Sequence, residues 1–222
     1  MLKSSLAALT GLSVVAATPT AFALEWEEQI IGDTIPGWEV KNVSEPVWTI
    51  ADGVLTCTGE RKTEGWFGTK EHFTDFAVDF EFKLPPGGNS GVFLRTSTSV
   101  YSPTNDLEIQ LLDDYADKHK NLDRGQYCGA IYKFCPPSKR VSNPAGEWNH
   151  MRITVVRHTI QVMLNGVVVV DTEKWQHPEL VSKSPRGAIG FQNYGDQVQF
   201  RKIKLADIAN ERETRARWFR DA

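Results

Sequence analysis

Apolar and polar side chains alternate most clearly between Phe76 and Leu84, where every second residue is apolar. A β-strand sends successive side chains to opposite faces, whereas a helix needs apolar residues every three or four positions. The segment therefore predicts a strand with one face in a hydrophobic core. The sequence PPGG at 85–88 ends it, because proline cannot donate a hydrogen bond to a β-ladder.

Similar short segments recur along the chain and predict about eleven strands at intervals of roughly 8–12 residues. Asp52-Gly53 and Asn165-Gly166 each lie between two such segments, a dipeptide signal for tight hairpins with type I′ turns. Another strand is predicted at 129–134. This spacing favours an all-β sandwich of two antiparallel sheets. A helical pattern, with Glu and Arg at i, i+4 spacing, is confined to 206–222, where we expect a C-terminal helical tail or docking helix.

Two predicted strands between residues 84 and 114 carry an unusual set of polar side chains. In the second, at 107–112, alternation directs Leu107, Ile109 and Leu111 into a core and leaves Glu108 and Gln110 together on the opposite face. A glycine-rich turn at 87–91 precedes the first strand. This polar face is either a functional surface or the solvated side of a sheet.

Residues 1–23 have the pattern of a secretory signal peptide, with Lys3, an apolar run and an Ala-Phe-Ala cleavage site at 21–23. We therefore expect a periplasmic or secreted protein with one domain at 24–205; the alternative is an uncleaved N-terminal anchor. No later segment approaches the roughly 20 apolar residues of a membrane-spanning helix. The net charge of −3 gives no electrostatic reason to expect a nucleic-acid partner.

The chain has three cysteines, an odd number for an exported protein. Cys128 and Cys135 flank the short apolar run GAIYKF and are candidates for a disulfide in an oxidising compartment. Three reduced, partly buried thiols are the alternative, because sequence does not fix the Cα separation that a disulfide requires. Neither a CxxC pair nor an HExxH motif is present, so we do not expect a structural zinc.

Several longer motifs resemble one known family. They are GWFGTKEHFTDFAVDFEFKLPPGGNSGVFLRT at 65–96, DLEIQLLDD at 106–114, GEWNHMRITV at 146–155, MLNGVVV at 163–169 and RGAIGFQNYGDQVQFRKIKL at 186–205. In this order they resemble the 3-keto-disaccharide hydrolase family. The resemblance implies a concanavalin A-like jelly roll and cleavage of a 3-keto-disaccharide or 3-keto-glucoside. It also implies a separate sugar 3-oxidoreductase that makes the keto sugar.

Such a reaction needs a base, a group that holds the enolate oxygen, and an acid for the leaving group. On this basis Glu108, Arg95 and Tyr194 are the candidate catalytic residues. Family members often have a histidine where this chain has Tyr194, so His72, His119 and His150 are spare candidates. Candidate substrate contacts are Asn89, Ser90, Gln110, Trp66, Gln192 and Asp196.

Other interpretations of the same residues remain open. Glu108 with Asp113 and Asp114 could hold a divalent cation such as Ca²⁺ or Mn²⁺ through carboxylate oxygens, or all three could be solvated. Arg95 could form a surface ion pair, and Trp66 could belong to the core. The whole domain could be a non-catalytic, lectin-like carbohydrate-binding module or serve in surface assembly, because a fold does not determine a function.

Overall fold

The computed structural model describes residues 24–41, 47–59, 65–96, 106–173 and 176–210. Within these ranges the chain is mostly β-strand, with a four-residue helix, two short 3₁₀ helices at Asp117–His119 and Arg124–Gln126, and helical residues at 208–210. The strands and the helix are β1 Glu27–Glu28, β2 Trp38–Lys41, β3 Trp48–Ala51, β4 Val54–Cys57, β5 Gly65–Thr69, β6 Phe76–Lys83, β7 Asn89–Thr96, β8 Leu107–Leu112, β9 Asn149–Val156, β10 Thr159–Leu164, β11 Val167–Glu173, α1 Pro178–Val181, β12 Ala188–Asn193 and β13 Gln199–Asp207.

The strands form two antiparallel sheets, which confirms the predicted all-β sandwich. The larger sheet has the order β11-β10-β9-β6-β13-β4-β3, with β1 also paired to β13. The smaller has the order β2-β5-β12-β7-β8. Neighbours in each sheet are often distant in sequence, so the sandwich depends on long-range pairing.

Aromatic side chains fill the space between the sheets. Phe80 of β6 and Phe200 of β13 come from the larger sheet, and Phe191 of β12 comes from the smaller one. The Phe191 and Phe200 rings stack with centroids 4.1 Å apart, and Phe80 meets Phe191 edge to face at 5.2 Å. All three are fully buried, and burial of this kind contributes about 2 kcal/mol or more per side chain.

The local turn predictions are confirmed. Asp52 and Gly53 have φ angles of 51° and 70°, and Asn165 and Gly166 have 48° and 80°. Two successive positive φ angles define the type I′ turn, whose twist matches that of the flanking strands. The alternation in β6 also holds, since Phe76, Val78, Phe80, Phe82 and Leu84 all belong to the core.

Three predictions made from the sequence are wrong. The segment 129–134 is not a strand; its Ile131 makes only single bridges, to Ile109 and Cys135. Cys128 and Cys135 are free thiols, so the candidate disulfide is not formed. The glycine-rich turn is shorter than expected, because Asn89 and Ser90 already belong to β7.

Both ends of the chain lie largely outside the described residues. The expected signal peptide at 1–23 is outside them, as is most of the expected helical tail, 211–222. Ala206 and Asp207 still belong to β13, and helical structure begins at 208–210. Among the described residues, no helix combines the length and apolarity needed to cross a bilayer.

Candidate functional site

The outer face of the smaller sheet, opposite the core, carries the candidate site and is called the site face below. One row of paired residues crosses it from β5 to β8: Gly68, Gly190, Phe93 and Glu108. On β8 the core receives Leu107, Ile109 and Leu111, as the sequence predicts, and Glu108 and Gln110 point to the site face.

The Glu108 side chain lies flat against the backbone of Gly91. A Cβ atom built on Gly91 would lie 2.1 Å from Glu108 Oε1, so only glycine leaves room for the carboxylate. Gly91 pairs across the strands with Gln110, and the carboxylate is therefore directed along β8 towards Gln110. Glu108 is only 5% exposed and Gln110 4%, so this is a largely desolvated polar pair of side chains.

A cavity of about 310 Å³ opens beside Gln110, which lines it, whereas Glu108 itself is not among the lining residues. Gln110 Nε2 donates a hydrogen bond to Asn89 Oδ1 at 2.9 Å, and the Asn89 backbone N–H donates to Asp196 Oδ2 at 3.0 Å. These bonds tie β8, β7 and the turn after β12 into one wall. The cavity is lined by Asn89, Gln110, Leu112, Lys118, His119, Leu122, Gln126, Tyr132, Tyr194, Gly195 and Asp196.

His119 belongs to this wall and brings an imidazole to the cavity. Its Nδ1 lies 2.8 Å from the backbone carbonyl oxygen of Asp113, and a carbonyl oxygen only accepts hydrogen bonds, so Nδ1 carries a proton. Nε2 is then left for a ligand. His150 instead bonds Asp79 on the larger sheet at 2.9 Å, and His72 is exposed outside the cavity lining.

Tyr194 and Asp196 reach the cavity from the turn between β12 and β13. The Tyr194 side chain is 45% exposed, which leaves it accessible to a ligand. Asp196 uses one oxygen to hold the start of β7, as described above. The turn thus combines an accessible phenol with a carboxylate that fixes the turn to the neighbouring strand.

Trp66 lies flat on the site face but does not form an open platform. Cβ atoms built on Gly68 and Gly190 would lie 2.1 Å and 2.3 Å from its ring. Phe93 packs edge-on against the ring, and Lys41 Nζ lies 5.5 Å from its centroid. Trp66 is only 1% exposed, so its ring is covered and packs as part of the fold.

Ser90 and Gln192 have different environments although one bond links them. Ser90 Oγ donates to the backbone carbonyl of Gln192 at 2.8 Å, and Ser90 is fully buried, which gives it a structural role. The buried Oε1 of Gln192 has no hydrogen-bond partner among the described residues. An unsatisfied buried acceptor is costly, and a donor on a bound ligand would satisfy it.

Arg95 is not brought to the site, which corrects its assignment as a catalytic residue. Between Phe93 and Thr96 the strand β7 has one residue more than the paired segment of β12, and Arg95 itself has φ 52°. Such a bulge redirects a side chain. The guanidinium donates to the carbonyls of Thr74 and Arg157 and lies 3.5 Å from Asp75, so it joins the two sheets.

The carboxylates of Asp113 and Asp114 do not form a metal site with Glu108. Asp113 accepts hydrogen bonds from the backbone N–H groups of Gly87 and Tyr115, and Asp114 accepts from Cys128 N–H and the Ser142 hydroxyl. Among the described residues, no group of three His, Cys, Asp or Glu side chains is arranged to hold a metal ion. The acidic pair instead fastens the segments around β8.

Sequence reasoning missed the wall formed by residues 118–132. The polar segment 113–124 has no apolar periodicity, a pattern that predicts a surface loop, yet it supplies Lys118, His119 and Leu122 to the cavity. Its path depends on hydrogen bonds with segments distant in sequence, such as the bond that the Ser142 hydroxyl donates to Asp114 Oδ2 at 3.0 Å. The imidazole of His119 was the only available signal.

Comparison with known proteins agrees with the fold and the motifs. A 3-keto-disaccharide hydrolase of Bacteroides thetaiotaomicron is 27% identical over 218 residues, covering 78% of this chain and 75% of that protein. The structure of a candidate glycosyl hydrolase from Parabacteroides distasonis superposes with a TM-score of 0.72 at 29% identity, covering 83% of this chain and all of that one.

A more distant neighbour shows the fold alone. The carbohydrate-binding module CBM66 of Bacillus subtilis superposes with a TM-score of 0.53 at 10% identity, covering 77% of this chain and 95% of that one. The sandwich is thus lectin-like. The family model of the 3-keto-alpha-glucoside-1,2-lyase-like domain matches residues 25–206, most of the chain, and the protein belongs to that family.

Proposed function

We propose that this protein cleaves glycosides whose sugar carries a ketone at C3, with Glu108 as the base that removes the C2 proton. The observation that carries the proposal is the position of the Glu108 carboxylate, held over Gly91 and directed towards Gln110 at the cavity wall. Family membership supports the reaction class, since the domain is described as lyase-like and a relative is named as a hydrolase of 3-keto-disaccharides.

The proposed reaction proceeds by elimination and hydration. The C3 ketone acidifies the C2 proton; Glu108 takes this proton, and the electron pair forms a C1=C2 double bond as the C1–O bond breaks. The leaving oxygen takes a proton from an acid and departs as an alcohol. Water then adds its hydroxyl to C1 and a proton returns to C2, which gives the free 3-keto sugar. No covalent nucleophile is needed, unlike in ordinary retaining glycosidases.

His119 and Tyr194 are the groups proposed to handle the leaving oxygen. Both line the cavity beside Gln110, and the bond from His119 Nδ1 to the Asp113 carbonyl holds the ring with Nε2 available. When protonated, Nε2 donates to the leaving oxygen, and afterwards it can take a proton from the incoming water. The Tyr194 phenol is the second donor, in the place where family members often have a histidine.

The amides of Asn89 and Gln110 are proposed to hold the sugar and its enolate oxygen. Because Gln110 Nε2 donates to Asn89 Oδ1, the remaining polar atoms are Asn89 Nδ2, a donor, and Gln110 Oε1, an acceptor. A fixed donor near a developing enolate stabilises it without reorganisation. The buried Gln192 Oε1 would accept a hydrogen bond from a sugar hydroxyl.

Two further proposals concern the cell. A ketone at C3 is not part of an ordinary glycoside, so a separate oxidoreductase acting at C3 of the sugar must supply the substrate. The signal pattern at residues 1–23 supports action in the periplasm or outside the cell.

The test incubates the purified protein with 3-keto-trehalose and, separately, with trehalose. We expect loss of the keto sugar only, and Glu108→Gln should lower kcat by about 10²- to 10⁴-fold while retaining sugar binding, because it removes the base but preserves the shape. Glu81→Gln is the matched control, since Glu81 pairs with Arg201 and Lys202 on the larger sheet. If the unmodified protein bound the keto sugar but did not cleave it, the proposal would be contradicted and a lectin-like module would be favoured.

A further inference from the structure

Tyr132 brings a phenol to the cavity wall and has no role in the steps above. Its backbone is held along the outer edge of β8 by two hydrogen bonds. The Tyr132 N–H donates to the Glu108 carbonyl at 2.9 Å, and the Gln110 N–H donates to the Ala130 carbonyl at 3.0 Å. The residue that carries the phenol is thus bonded directly to the residue that carries the proposed base.

The side chain of Tyr132 points to the site face. Ile109 of β8 and Ile131 are antiparallel bridge partners, and both side chains belong to the core. Partners across such a bridge share a face, and the next residue on each chain points to the opposite face. Tyr132 therefore stands beside Glu108, and residues that oppose each other in this way have Cβ atoms roughly 4.5–5.5 Å apart.

The hydroxyl of Tyr132 has a neighbour whose hydrogen-bonding role is fixed. Gln126 Oε1 accepts from the Asp123 backbone N–H at 3.3 Å, and because a backbone N–H only donates, this bond determines the orientation of the Gln126 amide. Gln126 Nε2 therefore faces the Tyr132 hydroxyl oxygen, at 3.4 Å. An amide NH₂ group only donates, so the phenol oxygen accepts here and the phenol proton is left for another partner.

The proposed reaction needs such a proton donor near the sugar. As Glu108 takes the C2 proton, negative charge develops on the oxygen at C3, and a donor fixed in advance stabilises this charge without reorganisation. Asn89 Nδ2 is one donor in the proposal above, and an oxygen with two lone pairs accepts a second. We infer that Tyr132 is a further catalytic residue whose hydroxyl donates the second hydrogen bond to this oxygen and keeps its own proton. The inference rests on the function proposed above.

Tyr132 is better placed for this task than the other proton donors of the cavity wall. His119 lies on the loop that follows β8, and Tyr194 lies on the turn that follows β12. The backbone of Tyr132 is instead bonded to that of Glu108, so the bond limits how far base and donor can move apart. Proton removal at C2 and charge development at the adjacent C3 need groups whose relative position is constant.

The test uses a 3-keto sugar without a leaving group, the 3-keto derivative of 1-deoxyglucose, in D₂O. Glu108 removes the C2 proton, the electron pair forms a C2=C3 double bond with the charge on the C3 oxygen, and a deuteron returns to C2. NMR measures this exchange at C2. Tyr132→Phe keeps the ring and removes the hydroxyl, and the exchange rate should fall by about 10²- to 10³-fold.

Tyr127→Phe is the matched control for the loss of one phenol hydroxyl. The Tyr127 hydroxyl donates to the Lys120 carbonyl at 3.3 Å, and Tyr127 is not among the described residues that line the cavity. The exchange rate of this variant should stay unchanged.

Gln126→Glu tests the direction of the phenol proton while the ring stays in place. The new carboxylate can still accept from the Asp123 N–H, but the oxygen that faces Tyr132 would now accept the phenol proton. Exchange at C2 should therefore fall by about 10-fold, because the hydroxyl is turned away from the sugar.

Tyr132→Phe should also slow the cleavage of alkyl and nitrophenyl 3-keto-glucosides by the same factor, because both substrates form the same charge at C3. Unchanged exchange in Tyr132→Phe would overturn the inference, as would a loss confined to the alkyl glucoside, which would make the phenol an acid for the leaving group. If Tyr132→Phe does not fold, unchanged exchange in Gln126→Glu would overturn it instead. If the unmodified protein neither exchanged the C2 proton nor cleaved either glucoside, the proposed function itself would be wrong.

Discussion

His119 Nδ1 lies 2.8 Å from the backbone carbonyl oxygen of Asp113, the residue that follows β8. This bond fixes the orientation of the ring and links the polar loop to the strand that carries Glu108. The proposed base on a strand and an imidazole on a loop are therefore held together by one hydrogen bond. The arrangement suits the proposed elimination, which needs a proton removed from one carbon and a proton supplied to the oxygen that leaves the next carbon.

His119→Gln should lower kcat in a way that depends on the leaving group. For a glycoside with an alkoxide leaving group we expect a loss of about 10²-fold or more, because the acid is missing. A nitrophenyl 3-keto-glucoside, whose leaving oxygen needs little protonation, should lose much less. His150→Gln is the control on the other sheet. Equal losses for the two substrates would contradict the role of His119 as the acid.

Gly91→Ala should impair chemistry more than stability. The new Cβ would lie 2.1 Å from Glu108 Oε1, and a flexible carboxylate can move aside at small structural cost. We expect kcat to fall by about 10- to 100-fold because a displaced base is a poor base. The melting temperature should change little.

Gly68→Ala is the matched comparison on the same sheet face. Its Cβ would meet the buried Trp66 ring at the same distance of 2.1 Å, and a ring held on both sides cannot move aside easily. Here the melting temperature should fall, because overpacking costs about 1–3 kcal/mol. If the two variants behaved alike, the distinct roles of the two glycines would be wrong.

Gly166→Val should destabilise the protein without touching its chemistry. Gly166 has φ 80°, and a Cβ there meets no atom within 4 Å, so the whole effect comes from backbone strain. A β-branched residue at positive φ should cost about 1–2 kcal/mol of unfolding free energy, measured by urea denaturation. Val168→Thr, at an exposed position two residues on, is the control. Unchanged stability of Gly166→Val would count against the type I′ turn.

Asp114→Asn should change how stability depends on pH. Burial raises the pKa of Asp114, against the hydrogen bonds from Cys128 and Ser142. The folded chain thus binds the proton of the Asp114 carboxyl more tightly than the unfolded chain does. The contribution of Asp114 to stability is therefore fully present below the unfolded pKa of about 3.9 and is lost as pH rises through the folded pKa. The free energy of unfolding of Asp114→Asn should therefore increase relative to that of the unmodified protein as pH rises.

Urea unfolding at a series of pH values measures this difference, and Glu81→Gln provides a control of opposite sign. Burial alone would raise the pKa of Glu81, but hydrogen bonds from Lys202 and Arg201 outweigh it and lower that pKa. The contribution of Glu81 to stability is therefore present above the unfolded pKa and is lost as pH falls through the folded pKa. The penalty of Glu81→Gln should shrink as pH falls. A pH-independent difference for Asp114→Asn would contradict the burial of its charge.

The features that the sequence predicts well are those determined by neighbouring residues. Alternation places Glu108 and Gln110 on one face whatever the rest of the chain does, and Asn165-Gly166 favours its turn through its own dihedral angles. The family motifs likewise needed only the order of the residues. Fold class and the face of the base could therefore be predicted.

The rest depends on contacts between distant segments. The position of Arg95 follows from one extra residue relative to β12, which strand alternation does not reveal. His119 reaches the cavity through a loop with no periodicity, and Asn89 is fixed by Asp196 from the far end of the chain. Trp66 is typical of a sugar platform by residue type, but glycines on two strands let it lie flat and covered.

The bulge in β7 determines the charge of the site face. In a strand without this bulge, positions 93 and 95 would share a face, and the Arg95 guanidinium would stand on the side of Glu108. The bulge instead keeps this permanent positive charge away from the site face and directs it into the tie between the sheets. The irregularity of the backbone, rather than the residue type at position 95, therefore determines which side of the smaller sheet carries this charge.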